Sequence, residues 1–195
     1  MKPRSEKLIL ADADGVLLDW SYAFGEYMRQ KGHVPVRTDV YNLSKCYNMN
    51  SKTISDWVYE FNSSYHIRNI PPLMDAIKYV KKMHEEHGMI FHCITALSTD
   101  PDAYLLRKEN LERLFGVTAF EKVTCVGTGA AKDEALRPYQ GSGCVWIEDK
   151  LENAELGDRM GLDSLLMVQD HTRDYDGPIK RVHNWKEVYE HVIGE

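Results

Sequence analysis

The chain has 195 residues and a hydrophobic fraction of 43%, which fits one globular domain, or one domain with a modest insertion. Its formal net charge of -6 comes without any block of basic residues, which argues against a partner such as DNA or RNA gripped over many phosphates. Residues 1–7 are polar, and no stretch approaches the length of about 20 apolar residues that a spanning helix needs. We therefore expect neither a membrane partner nor a polymeric nucleic acid.

The four cysteines are widely spaced and form no CxxC pair, which is typical of reduced cysteines in a core. This pattern predicts a reducing, cytoplasmic compartment. The eight histidines form no HExxH motif and no Cys/His ligand box, so we interpret them as surface or packing residues.

Short β-rich apolar runs alternate with helical stretches along most of the chain. Five such runs predict strands, at residues 7–11, 89–95, 122–126, 144–148 and 164–168. Strands that alternate with helices favour a parallel sheet covered on both faces. The predicted fold is therefore α/β, with a Rossmann-like, three-layer parallel sheet.

The helix signals between these strands are clearest before the second one. There Pro71 and Pro72 predict a helix start, an apolar stripe follows at helical spacing, and Gly88 predicts the end. Similar patterns predict helices near residues 103–114, 130–136 and 151–160, and at 185–192 after an Asn184 cap.

Residues 19–70 break the alternation, because they show helical spacing but no convincing buried strand. We expect a helical cap of about fifty residues here, inserted after the first strand. The core would then comprise residues 1–18 and 71–195. Ligands of open parallel sheets lie beyond the carboxyl ends of the strands, which is where this insertion begins.

Two acidic residues stand at the end of the first predicted strand. Gly15 lets the chain turn sharply, so Asp12 and Asp14 can project into one pocket. One carboxylate could attack phosphorus while the other donates and accepts protons, and a Mg²⁺ ion would relieve their repulsion. The alternative is that these residues form only a strand-ending turn.

Further polar residues follow the other predicted strands. Thr95 could bind phosphate or simply cap its strand, and Lys132 could neutralise phosphate or be a solvated surface lysine. Glu148 and Asp149 end the fourth strand, with Asn153 one helical turn later. They offer another metal ligand and a supporting partner, or else Asp149 caps a helix.

In order and strand-end placement these motifs resemble the haloacid dehalogenase-like (HAD-like) hydrolase superfamily over nearly the whole chain. The resemblance implies that Asp12 is the nucleophile and a metal ligand. Asp14 would be the general acid and base and would offer its main-chain carbonyl to Mg²⁺, and Asp149 would complete the protein ligands. Thr95 and Lys132 would hold the phosphoryl group, and Glu148 and Asn153 would steady the metal loop.

The inserted helices are similar to the small cap of this superfamily, and their aromatic residues resemble the 5'(3')-deoxyribonucleotidase branch. That likeness implies that Trp20, Tyr22 and Phe24 select the substrate, although aromatics at this spacing also form a cap core. We expect a magnesium-dependent phosphomonoesterase whose partner is a small phosphorylated metabolite, with a (deoxy)nucleoside 5'-monophosphate as the first candidate. A phosphatase for another metabolite, such as a sugar phosphate, and a non-catalytic binding protein are the alternatives.

Overall fold

A computed structural model describes residues 7–194, so residues 1–6 and 195 of the predicted core lie outside the described part. Six parallel strands form one sheet in the order β3-β2-β1-β4-β5-β6. The strands are β1 (Leu8–Ala11), β2 (Ile90–Ala96), β3 (Phe120–Val126), β4 (Val145–Glu148), β5 (Asp163–Met167) and β6 (Lys180–Val182). The predicted parallel α/β sheet is confirmed.

Eight α-helices connect and follow these strands within residues 7–194: α1 (Trp20–Gln30), α2 (Leu43–Cys46), α3 (Ser51–Asn62), α4 (Ala76–His87), α5 (Pro101–Phe115), α6 (Asp133–Leu136), α7 (Leu151–Arg159) and α8 (Trp185–Ile193). Both faces of the sheet are covered. Ile9 and Ala11 of β1 point into one apolar cluster, whereas Leu10 between them points into another. This alternation is the period-two pattern of a strand buried on both sides, and it confirms the three layers.

The five predicted strands are confirmed to within two residues at each end. β6 was not predicted, because it has only three residues and two of them are exposed and basic. The four cysteines are free, and Cys125 is the one that is not fully buried. Among residues 7–194, none of the helices combines the length and apolar character that crossing a membrane requires.

The prediction that Pro71 and Pro72 start a helix is wrong. The carbonyl of Pro71 accepts a hydrogen bond from the N–H of Asp19 at 2.9 Å, and the N–H of Leu73 donates to Leu17 at 2.9 Å. These bonds hold the segment in an extended form beside the chain that leaves the core, and α4 begins only at Ala76. The two connections of residues 19–70 to the sheet are therefore hydrogen-bonded neighbours.

Between these connections the described chain is helical, with α1, α2, α3 and a 3₁₀ helix at Tyr65–Asn69 and no strand. Phe24 and Phe61 are almost fully buried, with ring centroids 5.5 Å apart, and Tyr27 packs 5.3 Å from Phe61. An aromatic centre of this kind gives the inserted helices apolar packing of their own.

Candidate active site

Two neighbouring strands of the sheet, β1 and β4, end in acidic residues. Asp12 follows β1 directly, and its N–H donates to the carbonyl of Ile147 in β4 at 2.9 Å. Glu148 ends β4 and Asp149 follows it. The strand order changes direction between β1 and β4, so these acids stand where an open α/β sheet forms its ligand crevice.

Lys132, just before α6, lies between two of these carboxylates. Its Nζ is 2.8 Å from Oδ2 of Asp12 and 2.7 Å from Oε2 of Glu148, and its side chain is 1% exposed. Burial disfavours the charged amine, but the two carboxylates outweigh burial and raise the pKa of Lys132. Lys132 is therefore a fixed positive charge at the end of β1, not a surface lysine.

The carboxylate of Glu148 organises the loop after β4. Its Oε1 accepts the main-chain N–H groups of Asp149 at 3.2 Å and Lys150 at 3.1 Å. Its Oε2 accepts the side-chain amide of Asn153 at 3.2 Å, besides the bond from Lys132. Glu148 thus holds the main chain of the loop that carries Asp149, and Asn153 holds Glu148.

Asp12, Glu148 and Asp149 form a group that fits a divalent cation. One carboxylate oxygen from each residue lies within 4.8 Å of the others. Burial raises the pKa of Asp12 to about 6, against the opposing effect of Lys132, and loss of water together with Glu148 and Asp12 raises that of Asp149 well above its usual range. Three carboxylates share one lysine, and an oxygen-ligated cation such as Mg²⁺ would supply the missing positive charge. Asp12 and Asp149 would hold it, because each oxygen of Glu148 already accepts two hydrogen bonds, whereas each oxygen of Asp12 has one such partner.

The side chain of Asp14 takes no part in this carboxylate group. Both of its oxygens accept hydrogen bonds from the guanidinium of Arg107 in α5, at 2.7 and 2.9 Å. Arg107 is fully buried, whereas the Asp14 side chain is 20% exposed and lines the cavity described below. Arg107 was not predicted from the sequence, although a signal exists, since it shares the apolar face of α5 with Ala103, Leu111 and Leu114.

Thr95 is fully buried near the end of β2, and its hydroxyl has no hydrogen-bond partner among the described residues. The next residue, Ala96, lines the cavity, and Thr95 does not. Contact between the Thr95 hydroxyl and a phosphate therefore stays a prediction.

A cavity of about 700 Å³ lies between the acidic strand ends and the inserted helices. Trp20 and Phe24 of α1 line it, with their rings stacked 4.6 Å apart, and the indole N–H of Trp20 donates to Asn62 at 3.0 Å. Tyr22 is 59% exposed and does not line the cavity, so its role in substrate selection stays a prediction without support from a cavity contact. It lies two positions after Trp20 and thus on a different side of α1.

The loop between α1 and α2 also lines this cavity, which the sequence did not indicate. The ring of Tyr41 lies 5.0 Å from the ring of His171 and 5.4 Å from Nζ of Lys150. His171, interpreted above as a surface or packing residue, lines the cavity and donates from Nε2 to the carbonyl of Asp149 at 3.3 Å. Through Tyr41, the inserted residues 19–70 thus contact the loop that carries Asp149.

The fold and the strand-end acids define a Rossmann-like α/β protein with its candidate site at the switch point of the sheet. More narrowly, the chain has the haloacid dehalogenase-like fold, since it is similar to several solved structures of that type. A haloacid dehalogenase-like hydrolase from Streptococcus pneumoniae has a TM-score of 0.66 at 17% identity, covering 97% of this chain and 99% of that one.

Two further solved structures are similar over almost their whole length. CbbY from Rhodobacter sphaeroides, solved in complex with xylulose-(1,5)bisphosphate, has a TM-score of 0.59 at 18% identity, covering 93% of this chain and 95% of that one. A β-phosphoglucomutase from Clostridium difficile has a TM-score of 0.54 at 12% identity, covering 97% and 99%.

In sequence, the chain is 25% identical over 199 aligned positions to an uncharacterized 32.4 kDa protein of Enterobacteria phage T4, covering 96% of this chain and 69% of that protein. No family model matches the chain. The comparisons therefore confirm the resemblance at the level of the fold.

Proposed function

We propose that the chain is a magnesium-dependent phosphomonoesterase that forms an aspartyl-phosphate on Asp12. The observation that carries this proposal is the set of Asp12, Lys132, Glu148 and Asp149 at the wall of one cavity. A nucleophile, a fixed cation and a cation-binding group stand together there, as phosphoryl transfer requires.

The nucleophile is held in place before substrate binds. Oδ1 of Asp12 accepts the N–H of Ala13 at 2.7 Å, and Oδ2 contacts Lys132 at 2.8 Å. A carboxylate oxygen of Asp12 attacks phosphorus, an O–P bond forms, and the bond from phosphorus to the ester oxygen breaks. Lys132 offsets the charge of the incoming phosphoryl group. Mg²⁺, when bound by Asp12 and Asp149, supplies charge neutralisation for the phosphoryl oxygens.

Asp14 moves the protons in this scheme. Its carboxyl group gives a proton to the departing ester oxygen and then accepts one from the water that attacks the aspartyl-phosphate. Phosphate leaves, and the Asp12 carboxylate is restored. Asp14 lines the cavity two residues from Asp12, which supports this assignment.

For the substrate, we propose a (deoxy)nucleoside 5'-monophosphate. The half-buried ring of Trp20 in the cavity wall supports it, because an aromatic surface suits a base, and the buried Phe24 stacks against that ring. A sugar phosphate is the second candidate, and the similarity to CbbY with its bound sugar bisphosphate favours it. We also propose that the protein acts in the cytoplasm, which its four free cysteines favour.

Phosphate release by the purified full chain tests the proposal. The panel contains p-nitrophenyl phosphate, dUMP, dTMP and several sugar phosphates, each with Mg²⁺ and with EDTA. We expect magnesium-dependent release that Asp12→Asn abolishes. If no member of the panel releases phosphate, the proposed phosphatase activity is refuted and a non-catalytic binding protein is favoured. The ratio of nucleotide turnover to sugar phosphate turnover decides between the two substrates.

A further inference from the structure

Arg107 is a charged side chain with no solvent exposure in the middle of α5. A guanidinium keeps its proton in proteins, so a buried one needs an anion beside it. Within residues 7–194, Asp14 is the carboxylate that pairs with Arg107, through both terminal nitrogens. The Nε of Arg107 is buried and has no hydrogen-bond partner among these residues. The two bonds to Asp14 are therefore the interaction that compensates the buried charge.

The pair also fixes the direction of the Asp14 carboxylate. Two parallel N–H···O bonds from a planar guanidinium define the plane of the carboxylate as well as its position. Each carboxylate oxygen has two acceptor sites, so Arg107 leaves one on each oxygen for other partners. Because the Asp14 side chain lines the cavity, those remaining sites are the ones a ligand there can reach.

The main chain around Asp14 is held separately. The N–H of Gly15 donates to Leu18 at 2.9 Å, and the side-chain amide of Gln169 donates to the carbonyl of Gly15 at 2.6 Å. These bonds fix the main chain of the loop and make no contact with the Asp14 carboxylate. The carboxylate is held instead by the two hydrogen bonds from Arg107.

We propose that Arg107 is a positioning residue that orients Asp14 for proton transfer, an inference that rests on the proposed phosphatase function. This role would explain why a charged residue is buried at position 107. An apolar residue at position 107 would complete the apolar face of α5 without the cost of removing a guanidinium from water. Arg107 does not contact the substrate in this scheme and acts through Asp14.

Kinetics with two kinds of leaving group test this role. Protonation by Asp14 matters most for a poor leaving group such as an alkoxide, and little for p-nitrophenolate. We expect Arg107→Gln to lower kcat about 10- to 100-fold for an alkyl phosphate and much less for p-nitrophenyl phosphate, with little change in KM. Lys108→Gln, on the exposed side of the same helix, is the matched control and should leave both rates unchanged, since the ion pair of Lys108 is with Glu112 one turn later.

Coupling to Asp14 separates positioning from a purely structural effect. If Arg107 acts through Asp14, Arg107→Gln should cause no further loss of kcat in an Asp14→Asn background. Arg107→Lys keeps the charge but not the two parallel bonds, so it should fold and show an intermediate loss. Wild-type kcat on both substrates in folded Arg107→Lys, or independent losses in the double variant, would overturn the inference.

Thermal unfolding measures the interaction between Arg107 and Asp14 without an activity assay. Asp14→Asn leaves a buried guanidinium without its anion and should lower Tm by an amount on the order of 10 °C. Adding Arg107→Gln should restore part of that loss, and additive losses would overturn the inference. A wild-type protein that releases no phosphate would instead overturn the proposed function, whereas an active wild type with an uncoupled pair overturns the role of Arg107 alone.

Discussion

Gly15 and the carboxylate of Asp149 approach so closely that a β-carbon on Gly15 would overlap Oδ2 of Asp149. The loop after β1 and the loop after β4 therefore meet at a residue that has no side chain. Gly15 also has a φ of +77°, which is a left-handed conformation that favours glycine. Two independent constraints thus fall on one position of the candidate site.

Gly15→Ala should displace Asp149 and lower kcat by about 100-fold, because small misplacements of a residue that positions the reacting groups have effects of that size. Gly32→Ala is the matched control, since Gly32 also has a positive φ, of +85°, but has no atom within 4 Å of an added β-carbon. It should lose about 1 kcal/mol of stability and keep its activity. Steady-state kinetics and thermal unfolding of both variants check this, and an active Gly15→Ala variant would contradict it.

Asp12→Asn should abolish turnover and also change how stability depends on pH. Burial raises the pKa of Asp12 from 3.8 to about 6, so the folded state binds this proton more tightly than the unfolded state. The stability gained from the protonated form is present below about pH 4 and is lost as pH rises to about 6. A shift of this size corresponds to roughly 3 kcal/mol.

Asparagine does not ionise, so Asp12→Asn does not lose stability through this titration as pH rises. In EDTA, the stability of Asp12→Asn relative to the wild type should therefore increase between pH 4 and pH 7. Denaturant unfolding of the two proteins at several pH values measures the difference. A difference that stays constant, or that decreases with pH, would show that Lys132 holds Asp12 ionised throughout.

Mg²⁺ should stabilise the protein, because a ligand that binds the folded state raises Tm as its concentration exceeds Kd. Asp149→Asn removes one of the two carboxylates free to bind the ion, so this variant should show little or no magnesium-dependent rise in Tm. Glu152→Gln is the control, since Glu152 is exposed in the first turn of α7 and lies outside the carboxylate group. An equal response of Asp149→Asn and the wild type would refute the metal site.

Trp20→Ala and Tyr22→Ala form a matched pair on one turn of α1. Trp20 lines the cavity and Tyr22 does not, so Trp20→Ala should raise KM about tenfold, while Tyr22→Ala should change it less than about twofold. Steady-state kinetics on the preferred substrate measure both values. Similar effects of the two substitutions would mean that the aromatic residues act through the folding of the inserted helices.

Much of the site was predictable because parallel strands end at one edge of the sheet. Once β1 and β4 were recognised, Asp12, Glu148 and Asp149 had to lie near that edge, and the structure brings Lys132 to the same place. Arg107 was not predicted, since its partner Asp14 is 93 positions away in the sequence. The sequence indicates that Arg107 lies on the apolar face of α5, but it does not indicate that Asp14 is its partner.

Other failures have simple physical causes. Two prolines suit a helix start and an extended segment equally well, and the choice at Pro71 was made by hydrogen bonds to residues more than fifty positions earlier. Helical spacing likewise places Trp20 and Phe24 on one side of α1 without saying whether that side faces a cavity. Both questions depend on tertiary contacts that a local pattern does not contain.

The hydrogen bonds between Leu17–Asp19 and Pro71–Leu73 have one more consequence. They bring the two ends of residues 19–70 to the separation of paired strands, about 5 Å, at the rim of the sheet. No strand of the sheet is contributed by the residues between them, so every pairing of β1 with β2 and β4 is made without their help. The inserted helices can therefore change in length and sequence, and with them the lining of the cavity, while the residues at the strand ends keep their positions.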